Sequence, residues 1–428
     1  MTFLVETARS PSLAPTQGRR TAARFSTFLV IATLLVVSAP VLQTLGIPYD
    51  SSSGSIFTKI HPASYLAVVA VLMWAWASGG LGRLLGPVAI RHPGTVMMAA
   101  GAVLLLFQAA VVVKLPLAPI IDTFILPLLL FVALLQPDED DRRRLEVVLH
   151  TAVLLNSLLG LVEYASGWRL TPMYEADGTI IGYDWRASAL FGHPLANAFV
   201  TGNYLVALAY GAAPRLPPAM RLTVMAIAGL AMIAFGGRVA MVTAAAMVVL
   251  AVVLGGFGLL AGRRFELRQA VLAIAFVTVT AIFVVIFVDS GAADRFIDRF
   301  NNDHGSAQTR LAMFHIFGNL TSEQFLLWPD PDLISQAQRE YSLRLGVESS
   351  EVGFVAKYGL LVSLFFFVSL AGFLREVAAA TSRRTWWSIA YFVIVMSSSL
   401  GVAAKTTVLA MFVLFALVLM RRAGGATD

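Results

Sequence analysis

The 428-residue sequence contains no cysteine, which excludes disulfide bonds, cysteine-ligated zinc, iron–sulfur clusters and thiol nucleophiles. Charged residues are also scarce: they make up 13% of the chain, against about 25% in soluble domains, while hydrophobic residues reach 58%. A soluble chain of this length would need far more polar surface. These proportions predict an all-α, polytopic integral membrane protein, and the net charge of +6 is therefore read as membrane topology rather than as a nucleic-acid-binding surface.

The sequence also lacks the short motifs of nucleotide and metal chemistry. No GxGxxG stretch or P-loop opens a helix, and the six histidines show no H-E-x-x-H or related spacing. We therefore expect neither a cofactor nor a bound metal, and no nucleotide chemistry on the cytoplasmic side.

Long apolar runs are abundant, and a membrane-spanning helix needs about 20 such residues. Twelve spans are predicted, at about 26–46, 62–79, 94–113, 117–136, 146–165, 188–211, 218–235, 239–261, 269–289, 351–374, 386–401 and 404–420. The first is too long for the apolar part of a signal peptide and has no convincing cleavage site, so we expect it to be retained. The remaining segments are tails at 1–25 and 421–428 and a long loop at 290–350.

The basic residues are unequally distributed between the two sides of the predicted membrane. Nineteen of the 31 Lys and Arg residues lie in the two tails and in one alternate set of connections. The opposite short connections hold six: Lys59, Lys114, Arg169, Arg186, Arg238 and Lys405. By the positive-inside rule, both termini are predicted to be cytoplasmic and the 290–350 loop to lie outside.

The outer loop has helical patterns of its own. Residues 306–320 carry apolar side chains at helical spacing, and Asp332 is predicted to cap a second helix that Gly346 ends. An outer loop of this length with its own helices is usually functional, with an ornamental ectodomain as the alternative.

Three arginines on the outer side stand apart. Arg186 precedes the sixth predicted span, Arg238 lies in the short connection between spans seven and eight, and Arg310 begins the first loop helix. Snorkelling to lipid headgroups explains cytoplasmic arginines well, but it explains Arg238 poorly because this side is depleted of positive charge. Since a guanidinium group fits phosphate oxygens in a bidentate way, the three together predict a phosphate-bearing lipid substrate at the outer leaflet.

Other polar residues lie within or beside the predicted spans. Asp122 is near the middle of the fourth span, where an acidic residue is costly and a functional candidate. The alternative, which we favour, is that it accepts hydrogen bonds from a neighbouring helix. Glu163 lies at the outer end of span five, within reach of the arginines, and Lys357 lies slightly inside span ten.

Four short motifs in this order resemble those of the O-antigen ligase and polymerase superfamily. Residues Arg186–Pro194 (RASALFGHP) resemble the family's R-x-x-G-x-F-x-H-P-N stretch, and Gly237–Ala240 resembles its Ser-Arg-Gly/Ala position. Arg310 followed by Phe314 is similar to the family's R-x-x-x-W, and Tyr358–Leu360 is similar to the end of its Glu-Tyr-Gly-Leu.

The resemblance covers about 145–375 and implies a GT-C-like glycosyltransferase of the bacterial inner membrane, with its site on the periplasmic face. It implies metal-independent transfer between undecaprenyl-diphosphate-linked saccharides. The loop histidine of family ligases falls on Glu348 here, and Leu195 replaces the Asn that follows His-Pro. We therefore interpret the chain as a polysaccharide polymerase, similar to exopolysaccharide polymerases of the VpsF-like group. The alternatives are a ligase acting on a lipid or protein acceptor and a twelve-helix secondary transporter.

The resemblance also implies partners and site residues. The partners are the lipid-linked oligosaccharide, membrane lipids, a flippase and a chain-length regulator. The diphosphate is assigned to Arg186, Arg238 and Arg310, which would stabilise the charge that develops on it. Glu348 is the candidate base, with Glu351 as the alternate, although Glu348 could equally be a solvated carboxylate at the start of span ten. His193, Glu163 and Glu351 are further substrate-binding candidates. For His193 we favour a plain hydrogen-bonding role over that of a base.

Overall fold

The computed structural model describes residues 17–51, 54–173, 180, 186–260, 312–341, 343, 347, 349–398 and 401–420. The α-helices of these residues are α1 Gln17–Val36, α2 Ala39–Thr44, α3 Pro62–Ser78, α4 Leu81–Arg91, α5 Pro93–Phe107, α6 Ala118–Ile120, α7 Leu126–Leu134, α8 Glu139–Ser166, α9 Pro194–Ala209, α10 Pro218–Phe235, α11 Arg238–Leu260, α12 Ser322–Leu326, α13 Pro331–Glu340, α14 Ser350–Tyr358, α15 Leu360–Ala379, α16 Thr385–Ser397 and α17 Val408–Leu419. A π-helical segment continues α5 to Val112, and another joins α6 to α7. The part of the chain that the structure describes is thus built from helices.

Five of these helices are long and apolar enough to cross a membrane, or six if the bent pair α3–α4 counts as one span. In the apolar part of α11, Arg238–Phe257, only 17% of the residues are buried inside the protein. Side chains such as Val249 and Phe257 are each 61% exposed there. A helix that is apolar on all sides and mostly uncovered is stable in lipid rather than in water, which is consistent with a helical membrane protein. The predicted ninth span, 269–289, lies outside the described residues.

Two helix boundaries differ from the sequence prediction for local reasons. The chain turns by 103° after α3 and forms α4 where only a connection was predicted, because Gly79 adopts a φ of +83° that ends α3. Helix α8 begins seven residues before the predicted span. Its N-cap is Asp138, whose side chain accepts a hydrogen bond from the Asp141 backbone N–H, and three acidic residues fill its first turn.

Two predicted spans are each divided into two helices. The first breaks between α1 and α2, where Pro40 lacks the N–H that would continue α1. The tenth breaks between α14 and α15 at Gly359, whose φ is +80°. A side chain on Gly359 would lie 2.8 Å from the backbone of Leu327, so the loop segment that packs here requires glycine.

The structure also corrects the predicted second loop helix. Its N-cap is Asp330 rather than Asp332, because the Asp330 carboxylate accepts the backbone N–H groups of Asp332 and Leu333 and Pro331 occupies the first helical position. The helix ends at Glu340, before the predicted terminus at Gly346. In the first predicted loop helix, the described part forms a 3₁₀ helix at Met313–Phe317.

Helices α5 and α15 approach each other closely through glycine. A Cβ atom on Gly94 would lie 2.3 Å from the backbone oxygen of Gly372, a distance that no side chain tolerates. Small residues at such crossings allow the backbones of membrane helices to pack directly. The contact therefore fixes the spacing of this helix pair.

We expect Gly94→Ala to lower the free energy of unfolding by about 1–3 kcal/mol, because the added methyl group overpacks the crossing. Gly229→Ala in α10 is the matched control, since a Cβ there meets no atom within 4 Å. Thermal unfolding of the detergent-solubilised variants measures both. Equal melting temperatures for the two variants would contradict the close approach.

One end of the helix bundle, called the Arg24 end, joins several basic connections. Arg24 forms ion pairs with Asp138 and Asp141 at the start of α8, and Arg215 pairs with Glu139 at 2.6 Å. Further backbone hydrogen bonds at this end join Ala213 to Leu419 and Ser382 to Met420. The segments that meet here all belong to the set that the charge count predicts to be cytoplasmic.

The opposite end, called the Arg238 end, brings together the connections that the charge count predicts to be outside. The backbone N–H of Ala187 donates to the Ala234 oxygen at 3.0 Å, and Ser350 Oγ donates to the Met396 oxygen at 2.6 Å. Residues from 34–61, 190–200 and 405–411 surround one cavity at this end. The segments with the predicted site residues that the structure describes therefore lie at one end of the bundle.

Candidate functional site

The segment that carries Arg186 is held in place by the carboxylate of Glu163. This side chain is 3% exposed and accepts backbone hydrogen bonds from Leu170 at 2.9 Å, Ser188 at 2.9 Å and Ala189 at 2.8 Å. Bonds from N–H groups to a carboxylate are among the stronger ones in proteins. Ala189 has a φ of +39°, an unfavourable value for alanine that these bonds help to maintain. Glu163 thus holds the Arg186 segment in position, in addition to lying at the predicted site.

Two asparagines complete this arrangement. Asn156 Oδ1 accepts the Leu190 N–H at 2.9 Å, and Asn197 Nδ2 donates to the backbone oxygens of Ser188 and His193. Side chains therefore replace the backbone partners that a helix would have supplied. This corrects the predicted sixth span: residues before Pro194 are not helical, and α9 begins only there.

Arg186 and Arg238 lie on segments that contact each other. The hydrogen bond from Ala187 to Ala234 ties the residue after Arg186 to the last turn of α10, and Arg238 begins α11 three residues after α10 ends. Both arginines are partly exposed. The two predicted diphosphate ligands thus lie in contacting segments at the same end of the molecule.

The short turn between α10 and α11 also packs on α9. A Cβ on Gly237 would lie 2.5 Å from Cβ of Ala198, so glycine is required for this close approach. Gly236 ends α10 with a φ of +63°. Arg238 is therefore fixed against the first turns of α9, next to the segment that Glu163 holds.

His193 caps α9. Its Nδ1 accepts the Leu195 N–H at 3.2 Å, and Pro194 occupies the first helical position. The imidazole is exposed and also borders the cavity at the Arg238 end. It is close to the Arg186 segment in the chain and in space.

Glu351 lies in the first turn of α14 at this same end. Its carboxylate accepts hydrogen bonds from the hydroxyls of Ser349 and Ser397, and the side chain is exposed. Deeper in α14, Lys357 Nζ donates to the Ala403 oxygen at 2.6 Å. Both polar groups thus join α14 to the region around α16 and its following turn. The remaining predicted site residues, Arg310 and Glu348, lie outside the described residues.

A buried polar cluster near this site was only partly anticipated from sequence. The carboxylate of Asp122 is 0% exposed and accepts hydrogen bonds from Ser64 Oγ at 2.7 Å, Tyr49 Oη at 2.9 Å and the His61 N–H at 2.9 Å. Ser64 belongs to α3, so Asp122 does accept hydrogen bonds from a neighbouring helix. Tyr49 and His61 gave no local signal, because only the folded chain brings them to Asp122.

His61 has a defined tautomer. Its Nδ1 accepts the Ala63 N–H at 3.2 Å, and Nε2 lies 2.8 Å from the Val37 oxygen, so Nε2 carries the proton. Burial lowers the pKa of His61, which keeps the ring neutral. Burial and the nearby Asp122 carboxylate raise the pKa of Tyr49 well above its usual value. Both groups therefore act as neutral hydrogen-bonding residues.

Comparisons with known proteins give no family assignment. A scan against protein-family models found no match, and no curated protein sequence matches the chain.

Proposed function

We propose that this protein is a polysaccharide polymerase that joins undecaprenyl-diphosphate-linked oligosaccharide repeat units at the outer face of the bacterial inner membrane. The observation that carries the proposal is the contact between the Arg186 segment and the Arg238 turn at one end of an apolar helix bundle. Buried residues hold both segments, so the two arginines lie on adjoining segments at the same end of the bundle. The resemblance of these two segments to the O-antigen ligase and polymerase superfamily supports the same function.

The proposed orientation places the Arg24 end in the cytoplasm and the Arg238 end in the periplasm. The connections that meet at the Arg24 end carry most of the arginines, as the positive-inside rule requires of cytoplasmic connections. With this orientation both termini are cytoplasmic and the 290–350 loop is periplasmic. The proposal also includes the twelve spans that the sequence predicts. The arginines at the opposite end then face the leaflet in which a flipped lipid diphosphate is presented.

The proposed reaction needs charge stabilisation and one base. The acceptor hydroxyl oxygen attacks the anomeric carbon of the donor sugar, and the bond from this carbon to the diphosphate oxygen breaks. The lipid diphosphate leaves with the electron pair, and Arg186, Arg238 and Arg310 stabilise the negative charge on it. The hydroxyl proton passes to a carboxylate, for which Glu348 is the candidate and Glu351 the alternate. The products are an extended glycan and free undecaprenyl diphosphate.

The two carboxylates are expected to differ in mutagenesis. Glu348→Gln removes the base and should lower kcat by about 10²–10⁴-fold, the range for loss of a general base. Glu351→Gln keeps an oxygen that accepts from Ser349 or Ser397, so its kcat should stay near that of the wild type. Chain elongation by the two purified variants decides between them. The opposite ranking would make Glu351 the base.

A gene-deletion strain tests the biological role. Its surface polysaccharide, separated on a gel, should lose the long-chain ladder and retain single repeat units on the lipid carrier. Complementation with the wild-type chain should restore the ladder. Loss of glycan from a separate lipid or protein acceptor, with the ladder intact on the carrier, would indicate a ligase instead.

A further inference from the structure

The 290–350 loop contacts the helix bundle through Leu327, which lies in residues 321–329, called the Leu327 segment. The backbone of Leu327 packs on Gly359, where a Cβ would lie 2.8 Å away, and Gly359 directly precedes α15. The Leu327 oxygen also accepts a hydrogen bond from Gln108 Nε2 at 2.8 Å, and Gln108 lies in the π-helical segment that continues α5. The Leu327 segment is therefore held between the last turn of α5 and the beginning of α15.

The position of Gln108 gives the depth of this contact. The apolar span Pro93–Val112 has 20 residues. At 1.5 Å per residue its length is about 30 Å, which matches the hydrocarbon core of a bilayer. Gln108 precedes Val112 by about one helical turn, so the hydrogen bond to Leu327 lies roughly 5 Å inside the end of the span. The Leu327 segment is therefore beside the last turn of the span and not above it.

Backbone groups at this depth have partners within the protein. The Leu327 N–H donates to the Glu323 oxygen at 2.9 Å, and the Leu327 oxygen accepts from the buried side chain of Gln108. Pro329 has no N–H that would need an acceptor. Because hydrocarbon offers no hydrogen-bond partners, a segment that enters it must satisfy its backbone internally. These contacts meet that requirement around Leu327.

Exposed apolar side chains lie on both sides of Leu327. Leu326 is 37% exposed and Trp328 is 43% exposed. Phe107, which precedes Gln108, and Leu361, at the start of α15, are also exposed, and both belong to helices long and apolar enough to cross a membrane. Leu326 and Trp328 therefore extend the exposed apolar surface of α5 and α15, the surface that lipid would cover.

Polar residues bound the apolar part of the segment. Thr321 and Gln324 form a capping box at the start of α12, and Asp330 caps α13 just after Trp328 and Pro329. Tryptophan is enriched where the headgroups of a bilayer meet its acyl chains. The order polar, apolar, polar is that of a short segment that enters this boundary and returns to water.

We infer that the Leu327 segment is an interfacial anchor whose side chains Leu326 and Trp328 insert among the lipids at the Arg238 end. The partner is the boundary between lipid headgroups and acyl chains, because the exposed apolar surface continues that of the spanning helices. The inference requires that the helix bundle spans a membrane, and it is independent of the polymerase function. The anchor holds the loop against the membrane surface at the end of the bundle where Arg186 and Arg238 lie.

Nitroxide labels on the protein in proteoliposomes test the anchor, and the absence of cysteine from the chain allows each label to be placed singly. Leu326→Cys and Trp328→Cys carry the loop labels. Leu364→Cys on the exposed face of α15 is the lipid reference, and Glu340→Cys at the exposed end of α13 is the water reference. Collision with oxygen reports lipid, and collision with a nickel chelate reports water. The ratio of oxygen to nickel collision at both loop labels should approach that at Leu364 and exceed that at Glu340.

A charge at the anchor should expel it. The Leu326→Cys label is measured again with Trp328→Asp and with Trp328→Phe, and thermal unfolding checks that both proteins fold. Trp328→Asp should lower the collision ratio toward that at Glu340, because a carboxylate is costly among lipids, while Trp328→Phe should keep it. Equal ratios in the two proteins would overturn the insertion of Trp328.

Two results would overturn the anchor itself. A collision ratio at both loop labels equal to that at Glu340 would place the Leu327 segment in water. Low collision with both reagents would mean that protein, such as a second copy of the chain, covers the segment instead of lipid. Neither measurement involves elongation, so a protein with lipid-exposed loop labels and no elongation would overturn the polymerase function alone.

Discussion

Replacement of Arg238 by alanine is expected to lower kcat for chain elongation by about 10²–10³-fold, the loss typical of one group that stabilises transition-state charge. The reason is the placement of this arginine. Gly237 packs against Ala198, and the backbone oxygen of Ala234 accepts a hydrogen bond from Ala187. These contacts hold Arg238 next to the Arg186 segment. The measurement is the initial rate of elongation by purified protein, with thermal unfolding as a check of folding.

Two further variants separate charge from geometry at this position. Arg238→Lys keeps the positive charge but cannot form a bidentate contact with phosphate, so its rate should lie between those of wild type and Arg238→Ala. Arg215→Ala, at the Arg24 end, removes an exposed arginine that pairs with Glu139 and should leave the rate unchanged. Full activity of Arg238→Ala would remove this arginine from the diphosphate site.

Replacement of Glu163 by alanine should destabilise the protein and also reduce its activity. The change leaves the buried backbone N–H groups of Ser188 and Ala189 and the part-buried N–H of Leu170 without their acceptor, and we expect a loss of about 3 kcal/mol in the free energy of unfolding. Because Ser188 and Ala189 lie two and three residues after Arg186, kcat should fall in the fraction that remains folded. Thermal unfolding and elongation rates at low temperature measure the two effects.

Glu163→Gln distinguishes a positioning role from a merely structural one. Its amide oxygen still accepts hydrogen bonds, so both stability and kcat should recover in part. The matched control is Glu340→Ala, which removes an exposed carboxylate at the end of α13 and should change neither quantity. A wild-type melting temperature for Glu163→Ala would contradict the hydrogen-bonding scheme.

Helix positions could be predicted from the sequence where hydrophobicity alone decides them. The helices α3, α5 and α10 begin and end within a few residues of the predicted runs, when the π segment of α5 is included. The breaks could not be predicted in the same way. Gly359 has a positive φ, and the backbone of Leu327, about thirty positions away in the sequence, packs too closely against it for any side chain. The hydrophobicity of a sequence segment gives no information about such a long-range contact.

The candidate site could be predicted in part. The sequence places Arg186, Glu163 and Arg238 on the same side, and the structure adds that Glu163 bonds to the Arg186 segment while this segment bonds to the end of α10. The cavity beside them could not be predicted, because its walls come from three distant parts of the chain. In the sequence Lys405 is only one of the basic residues on the predicted outer side, whereas its pairing with Asp50 and Tyr49 requires the folded chain.

A direct test of the polymerase function gives the purified protein its lipid-linked oligosaccharide in proteoliposomes. We expect a ladder of products that differ by one repeat unit, made by the wild type and lost in Arg238→Ala. Movement of the oligosaccharide across the membrane without any new glycosidic bond would contradict it and indicate a transporter. An undiminished ladder from Arg238→Ala would contradict the proposed diphosphate site.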